Sequence, residues 1–357
     1  MSDFVVIGGG IAGLSAAARL APHGHVTVLE AEDALGYHAS GRSAALFEQN
    51  YGLPPVRALN RASAAFHQPY LSPRGLLLVA RQGEDAAFEA DMDDMRLTEI
   101  DMERARSLVP ILNDTVTRAA YHADAQDIDT DRMLQDFART VRQHGGQVIT
   151  GARVTAIRPG WHVDSKAGAY KAKRIVNAAG AWADVVATMA GVQPIGIKPF
   201  RRSMARLPAP GGHDVTSWPM IFGVSESWYA KPDAGALLVS PADEDPVEPH
   251  DAWADDMVLA HGLDRYASAV TEPVTRLDTS WAGLRSFAPD RALVLGPDPQ
   301  QPDFIWCAGQ GGYGFQSAPA ASQLLADLTM GHAPALDPET VRALSATRFA
   351  TQSEPVI

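Results

Sequence analysis

Phe4-Val5-Val6-Ile7-Gly8-Gly9-Gly10-Ile11-Ala12-Gly13-Leu14 opens the chain as strand, tight turn and helix in one stretch. Residues 4 to 7 form a continuous β-branched and aromatic run, the pattern of a strand buried on both faces. Gly8, Gly10 and Gly13 follow in G-x-G-x-x-G spacing. Each glycine meets a separate steric need: Gly8 permits the turn, Gly10 lets a pyrophosphate approach the backbone, and Gly13 lets the helix lie close to the strand. Ser15, Ala16, Ala17 and Ala18 keep that helix slim, and its N-terminus then faces the phosphates.

A second strand, His25-Val26-Thr27-Val28-Leu29, ends at Glu30, seventeen residues beyond Gly13. A carboxylate there accepts two hydroxyl hydrogen bonds from a ribose diol and repels a 2′-phosphate, so the unit is expected to take an unphosphorylated adenosine ribose, as in NAD or FAD. A lone glycine triplet would carry little. Strand, alanine-rich helix and acid at the next strand end agree, which favours nucleotide binding over a bare glycine turn.

The segment Gly36-Tyr37-His38-Ala39-Ser40-Gly41-Arg42-Ser43-Ala44-Ala45 is small, polar and turn-rich, unlike the βαβ continuation of an NAD domain. It is expected to form a second nucleotide-contacting loop. Further on stand Val176-Asn177-Ala178-Ala179-Gly180-Ala181-Trp182 and Gly309-Gln310-Gly311-Gly312-Tyr313-Gly314. In this order the motifs resemble the D-amino acid oxidase superfamily of flavoproteins. More narrowly, Lys231-Pro232-Asp233-Ala234-Gly235 and Trp281-Ala282-Gly283-Leu284-Arg285-Ser286-Phe287 resemble the bacterial D-arginine dehydrogenase branch, and the match runs nearly end to end.

The resemblance implies an α/β fold: a Rossmann-like FAD-binding domain of glutathione-reductase type, interleaved with an α+β substrate-binding domain built on an antiparallel sheet. Residues 1-72, 128-197 and 283-357 would form the first, and 73-127 and 198-282 the second. FAD would be held without a covalent bond. Its contacts would come from Gly8, Gly10, Ile11, Ala12, Gly13, Glu30 and Ala31, and from Ser40, Arg42, Ser43, Ala44 and Ala45. Val154, Ala179, Gly180, Trp182, Gly309, Gly311, Gly312, Tyr313, Gly314, Phe315 and Gln316 would complete the cofactor site.

Composition sets bounds on these expectations. At 357 residues the chain has room for two domains, on the usual ~100–200 residues each. With 46% hydrophobic and 20% charged residues it is an ordinary globular sequence. A net charge of -12, from 42 acids against 30 bases, argues against a nucleic-acid surface or an anionic membrane patch. The single cysteine, Cys307, excludes an internal disulfide and sits in the apolar run Phe304-Ile305-Trp306-Cys307-Ala308, as a small buried hydrophobe would. No charged segment followed by a cleavable apolar stretch precedes the first strand, and no run reaches the ~20 apolar residues of a membrane span. The sequence therefore predicts a soluble, cytoplasmic protein.

Between the motifs, Val56 to His67 has the spacing of an amphipathic helix and Gly75 to Ala80 that of a buried strand. Glu84 to Glu103 is expected to be one solvated helical region; Asp91, Asp93, Asp94 and Glu99 lack a histidine spaced to make a metal site with them. Asp127-Ile128-Asp129-Thr130-Asp131 alternates oxygens as a calcium loop does but lacks its glycine and closing glutamate. Asp129 or Thr130 is the better candidate for capping a helix from Arg132 to Gln143. Strands are expected at 147–150, 153–157 and 174–180, then at 203–207, 220–224, 228–231 and 235–240 in an antiparallel sheet over a pocket. A final strand, Phe304 to Ala308, leads through the glycine loop into a helix from Phe315 to Thr329, whose N-terminus suits negative charge on a reduced flavin.

An amino acid offers its carboxylate as a handle, and arginine grips a carboxylate through two parallel hydrogen bonds. Arg202 and Arg285 match the carboxylate-binding arginines of the D-arginine dehydrogenase branch, with Arg201 as the rival for the first. Tyr51 and Tyr229 match tyrosines that hydrogen-bond substrate, and Gly312 matches the residue whose carbonyl receives the substrate amine. The resemblance then implies hydride transfer from the α-carbon of a D-amino acid, an imine, and a 2-oxo acid after hydrolysis. Two departures bear on the substrate: Leu76 stands where the branch has a guanidinium-binding glutamate, and Leu46 where it has a histidine. Without that acid D-arginine and D-lysine should be poor substrates, and an apolar pocket is expected. The electron acceptor would be a quinone or another carrier. A secondary amine such as sarcosine or proline, a 2-hydroxy acid, or FAD binding without catalysis remain alternative readings of the same residues.

Overall fold

The computed structural model describes residues 1–350. The opening motif folds as its pattern dictates: strand Ser2–Ile7, turn, and helix Ile11–Leu20 with eight of its side chains buried. That first strand lies at the centre of a parallel sheet. It pairs on one side with Val26–Leu29, which pairs with Gln147–Ile149, and on the other with Gly168–Asn177, which pairs with Phe304–Ala308. Val294–Pro297 closes that edge antiparallel. Strand Gly168–Asn177 serves twice: its first residues belong to an antiparallel meander with Val154–Arg158 and His162–Ser165, and its last ones enter the parallel sheet.

Helix Thr130–Gln143 covers one face through Met133, Leu134, Phe137, Ala138 and Val141. These residues recur at helical spacing, with Asp129 as the cap accepting from the Arg132 N–H at 3.1 Å. Helix Gly314–Met330 is buried along most of its length in the same core.

The second sheet has nine strands, in two blocks from distant parts of the chain. The antiparallel expectation holds for every pair but one: Leu76–Arg81 and Met220–Gly223 run parallel, joining the two blocks. Both are fully apolar where they meet, and a parallel seam between distant segments leaves no hairpin turn in the sequence to announce it. The region 84–103 also differs from expectation. Helix Asp85–Met95 ends at Arg96 in the left-handed conformation (φ 56°), strand Thr98–Ile100 follows, and helix Met102–Leu108 comes after. The interruption brings Thr98–Ile100 alongside strand Val116–His122, a long-range pairing that composition does not reveal. Among the described residues no helix is long and apolar enough to cross a membrane.

Candidate active site

A cleft of about 320 Å³ opens at the carboxyl ends of the parallel strands, the place where open α/β sheets bind ligands. Gly8, Gly10, Ile11 and Ala12 line it, as do Glu30, Ala31, Ser40, Ser43, Ala44 and Val154. Ala179, Gly180, Trp182, Gly311, Gly312, Gly314 and Phe315 form the rest of the predicted wall. Gly8 has φ 113°, and a side chain on it would strike the Ala178 carbonyl. A side chain on Gly10 would meet only Ser40 Oγ, at 3.1 Å, so this side of the turn is open to a ligand. The Ile11 N–H donates to Ser40 Oγ at 3.0 Å, and no side chain caps the helix at Gly10, leaving the helix end available to phosphate.

Glu30 is 7% exposed, and its carboxylate accepts from the Gly9 N–H at 2.6 Å and the Glu32 N–H at 2.9 Å. These bonds fix the carboxylate and leave lone pairs for ribose hydroxyls. Gly9 escaped the sequence reading: a Cβ there would lie 2.8 Å from Glu30 Cβ and 2.9 Å from Leu35 Cδ2.

Six predicted cofactor residues have other placements or duties. Gly13 lies behind the cleft, where a side chain would strike the Gly8 carbonyl. Gly309 turns the chain at φ 76° away from the lining, and Tyr313 packs its ring 5.4 Å from Tyr51. Arg42 lines the cleft, but its guanidinium donates to the carbonyls of Ala252 and Ala282 and to Asp251, so it acts as a strut. Ala45 and Gln316 line an adjoining cavity instead. Burial pushes the Cys307 thiol up to about 12, and its Sγ faces the Ala12 carbonyl at 3.5 Å behind the helix, out of place for a covalent link.

The adjoining cavity, of about 110 Å³, shares Tyr229, Arg285 and Gly312 with the cleft. Arg285 lines both spaces and Arg202 the cleft alone, and strand pairing sets the two. Arg202 lies opposite Gly283, and Arg285 opposite Phe200, in strands Lys198–Leu207 and Thr279–Phe287. Side chains alternate along a strand, so Arg202 and Arg285 share one face and Arg201 takes the other. Arg201 is engaged there with Asp243 at 3.2 Å and Asp245 at 2.7 Å. Arg202 is 8% exposed, its Nε and Nη1 have no hydrogen-bond partner among the described residues, and the carboxylates that approach it there are Glu226 and Glu244 at 3.9 and 4.0 Å. Arg285 forms no salt bridge among the described residues; Glu244 pairs with Arg291 at 2.6 Å instead. Burial works against the Arg285 charge, but the oxygens of Tyr51, Tyr229 and Glu226 outweigh it and hold the guanidinium protonated. Burial also pushes the Tyr51 hydroxyl up, against the opposing pull of Arg285, and so keeps it a neutral donor. Gly312 packs flat on Arg285, where a Cβ would lie 2.9 Å from Cζ.

Leu46 and Leu76 line this cavity with Met95, Met220 and Phe222, as the apolar expectation requires. The pocket is nevertheless not wholly apolar, because Glu48 and Glu226 share its wall. Glu48 is 3% exposed and lies 2.6 Å from His122 Nδ1, while its other oxygen accepts from the Asn50 N–H at 2.9 Å. Its two-residue offset from Leu46, at the end of strand Leu46–Phe47, was the signal available for it. Glu226 and its neighbour Ser225 sit at φ 49° and 56°, a strained pair held by the Ser225 N–H donating to Asp91 at 2.6 Å. Nothing in the local sequence marks Glu226.

The glycine cradle, the fixed Glu30 and the uncapped helix fit a dinucleotide, and the orphaned Arg202 beside Arg285 fits an anion next to it. A model of the FAD dependent oxidoreductase family, DAO, matches residues 3–328. Glycine oxidase of Pseudomonas putida is 26% identical, over 94% of this chain and 96% of that protein. Hydrogen cyanide synthase subunit HcnC of Pseudomonas aeruginosa is 23% identical, over 99% of this chain and 97% of that subunit. Among solved structures, L-proline dehydrogenase from P. horikoshii superposes with a TM-score of 0.83 at 22% identity, covering 99% of each chain, a likeness of fold. These relatives support the family and its FAD; their names speak of glycine and proline, not of D-arginine.

Proposed function

The chain belongs to the DAO family of FAD dependent oxidoreductases, and from that premise we propose that it oxidises D-amino acids with neutral or hydrophobic side chains. The α-carbon loses a hydride, the amine loses a proton, and the imine is hydrolysed to a 2-oxo acid and ammonia. FAD in the cleft supplies the hydride acceptor when bound. The observation that carries this reading is the pair of cations on one strand face, the buried Arg202 with two nitrogens unpartnered and the half-buried Arg285 without a salt bridge among the described residues. An unpaired buried charge is costly, so the site is built for a carboxylate that arrives with the substrate.

In this scheme Arg285 and Arg202 grip the carboxylate, Tyr229 and Tyr51 donate to it, and the Gly312 carbonyl accepts from the neutral amine. Holding the Cα–H bond toward the cleft is the main catalytic contribution of these residues. Leu46 and Leu76 receive the side chain. Leu76 offers D-arginine no acid at its position, and the buried acid of this wall, Glu48, is already partly engaged by His122 and Asn50. Residues 1-72, 128-197 and 283-357 would act as the FAD-binding domain and 73-127 and 198-282 as the substrate domain, in a cytoplasmic enzyme returning electrons to a quinone or another carrier.

The small cavity and the names of the relatives favour one second reading, oxidation of a secondary amine of the sarcosine or proline kind. A panel of D- and L-amino acids, sarcosine, proline and a 2-hydroxy acid, assayed with an artificial electron acceptor beside an oxygen-consumption trace, separates the two. D-leucine, D-methionine and D-phenylalanine should lead. D-arginine ahead of all three would defeat the pocket argument, and sarcosine or proline in first place would transfer the reading to secondary amines.

A further inference from the structure

The buried acid in the side-chain cavity has a use that the carboxylate grip leaves open. Leu46, Leu76, Met95, Met220 and Phe222 make an apolar sleeve, and Glu48, 3% exposed, interrupts it. A carboxylate offers about four acceptor positions. Here one oxygen takes the Asn50 N–H and the other faces His122 Nδ1, so acceptor capacity remains on a group that lines the cavity. Water or a substrate donor can take the positions that remain.

We propose that Glu48 is the specificity-determining residue of this pocket and selects substrates whose side chain ends in a neutral N–H donor, as a carboxamide does. The inference rests on the amino-acid reading above and narrows its neutral class: an apolar stem passes the sleeve and the terminal amide donates to Glu48. His122 Nδ1, 2.6 Å away, and the Asn50 N–H already occupy one position on each oxygen, which leaves room for a further single donor such as an amide N–H. A site built to hydrogen-bond a substrate rejects the analogue lacking the donor far more strongly than an apolar site rejects a missing methylene.

The test uses the FAD-loaded enzyme and two near-isosteric pairs, D-asparagine with D-leucine and D-glutamine with D-methionine, with D-alanine as a substrate too short to reach Glu48 and D-ornithine as a cationic arm. Wild type should favour the amide of at least one pair by tenfold or more in kcat/KM. Glu48→Leu should invert that preference, read as the ratio of kcat/KM within each pair, with the flavin spectrum showing that FAD stays bound. Glu48→Gln keeps the shape and is the variant to read if Glu48→Leu fails to fold; it should cut the amide preference at least threefold. Turnover of D-alanine without amide preference overturns this inference alone, as does D-ornithine exceeding both amides. No turnover of any amino acid overturns both it and the reaction it rests on.

Discussion

Replacing Gly312 by alanine tests the carboxylate grip without touching a charge. Its Cβ would lie 2.9 Å from Arg285 Cζ, 3.1 Å from Nη1 and 3.2 Å from Nε. Carbon contacts relax at about 3.5–4.0 Å, so the guanidinium must retreat by roughly 0.5–1 Å. A fork displaced that far keeps one of its two bonds to the substrate carboxylate. A hydrogen bond to a charged group is worth about 1.5–3 kcal/mol, so kcat/KM should fall by about 10- to 150-fold, with most of the loss in KM. Gly312 does not occupy the left-handed region, whereas Gly311 does at φ 51°, so alanine at 312 leaves the backbone unstrained and FAD should stay bound. Steady-state kinetics with D-leucine and a dye acceptor, read beside the flavin absorbance, measures both quantities. A Gly312→Ala enzyme within twofold of wild type in kcat/KM would refute the placement of Arg285 as the carboxylate anchor.

Gly13→Ala drives a methyl group into the Gly8 carbonyl and should yield colourless protein that does not regain FAD on titration; a yellow, FAD-saturated variant would contradict the packing. The neighbouring arginines should separate cleanly. Arg201→Ala removes a largely buried ion pair to Asp243 and an exposed one to Asp245 and should cost roughly 1–3 kcal/mol of stability with kcat/KM unchanged, whereas Arg202→Ala should lower kcat/KM at least tenfold, and a swap of these outcomes would reverse their assignment. With its thiol raised to about 12, Cys307 is thiolate in only about one molecule in ten thousand at pH 8, so a thiol reagent should label it at once after denaturation and hardly at all before. Prompt stoichiometric labelling of the folded enzyme would place the cysteine at the surface.

The parts legible in the sequence are those whose cause is local. Gly8, Gly10, Gly13 and Glu30 answer to the geometry of one turn and the strand beside it, and the helices Pro54–His67, Thr130–Gln143 and Gly314–Met330 follow their own apolar periods to within a few residues. What stayed hidden depends on register between distant segments. Which of Arg201 and Arg202 faces the cleft is a question of strand parity, and parity is fixed by the partner strand Thr279–Phe287. Glu226 enters the site only because a strained two-residue turn aims it there, held by Asp91 from another element. The pocket read from Leu46 and Leu76 alone was therefore more apolar than the one the fold assembles.

The loop from Ser43 to Leu46 couples the two cavities, since Ser43 and Ala44 line both. It is braced from two directions. Arg42 ties its beginning to the Ala252 and Ala282 carbonyls, and Lys231, 9% exposed, donates to the Ala44 carbonyl at 2.5 Å while pairing with Asp127 at 2.8 Å. Asp127 in turn holds Arg74 at 2.6 Å, so the alternating acids at 127–131 contribute a brace and a helix cap, not a calcium loop. Just past the second brace Ala45 sits at φ 50°, a conformation a non-glycine residue keeps only where its surroundings hold it. The loop therefore cannot yield to one ligand without moving the wall that meets the other. On the proposed reading, cofactor and substrate would meet a shared, pre-set surface, so a turn-rich segment recognisable as a nucleotide contact would also decide the shape of the side-chain pocket.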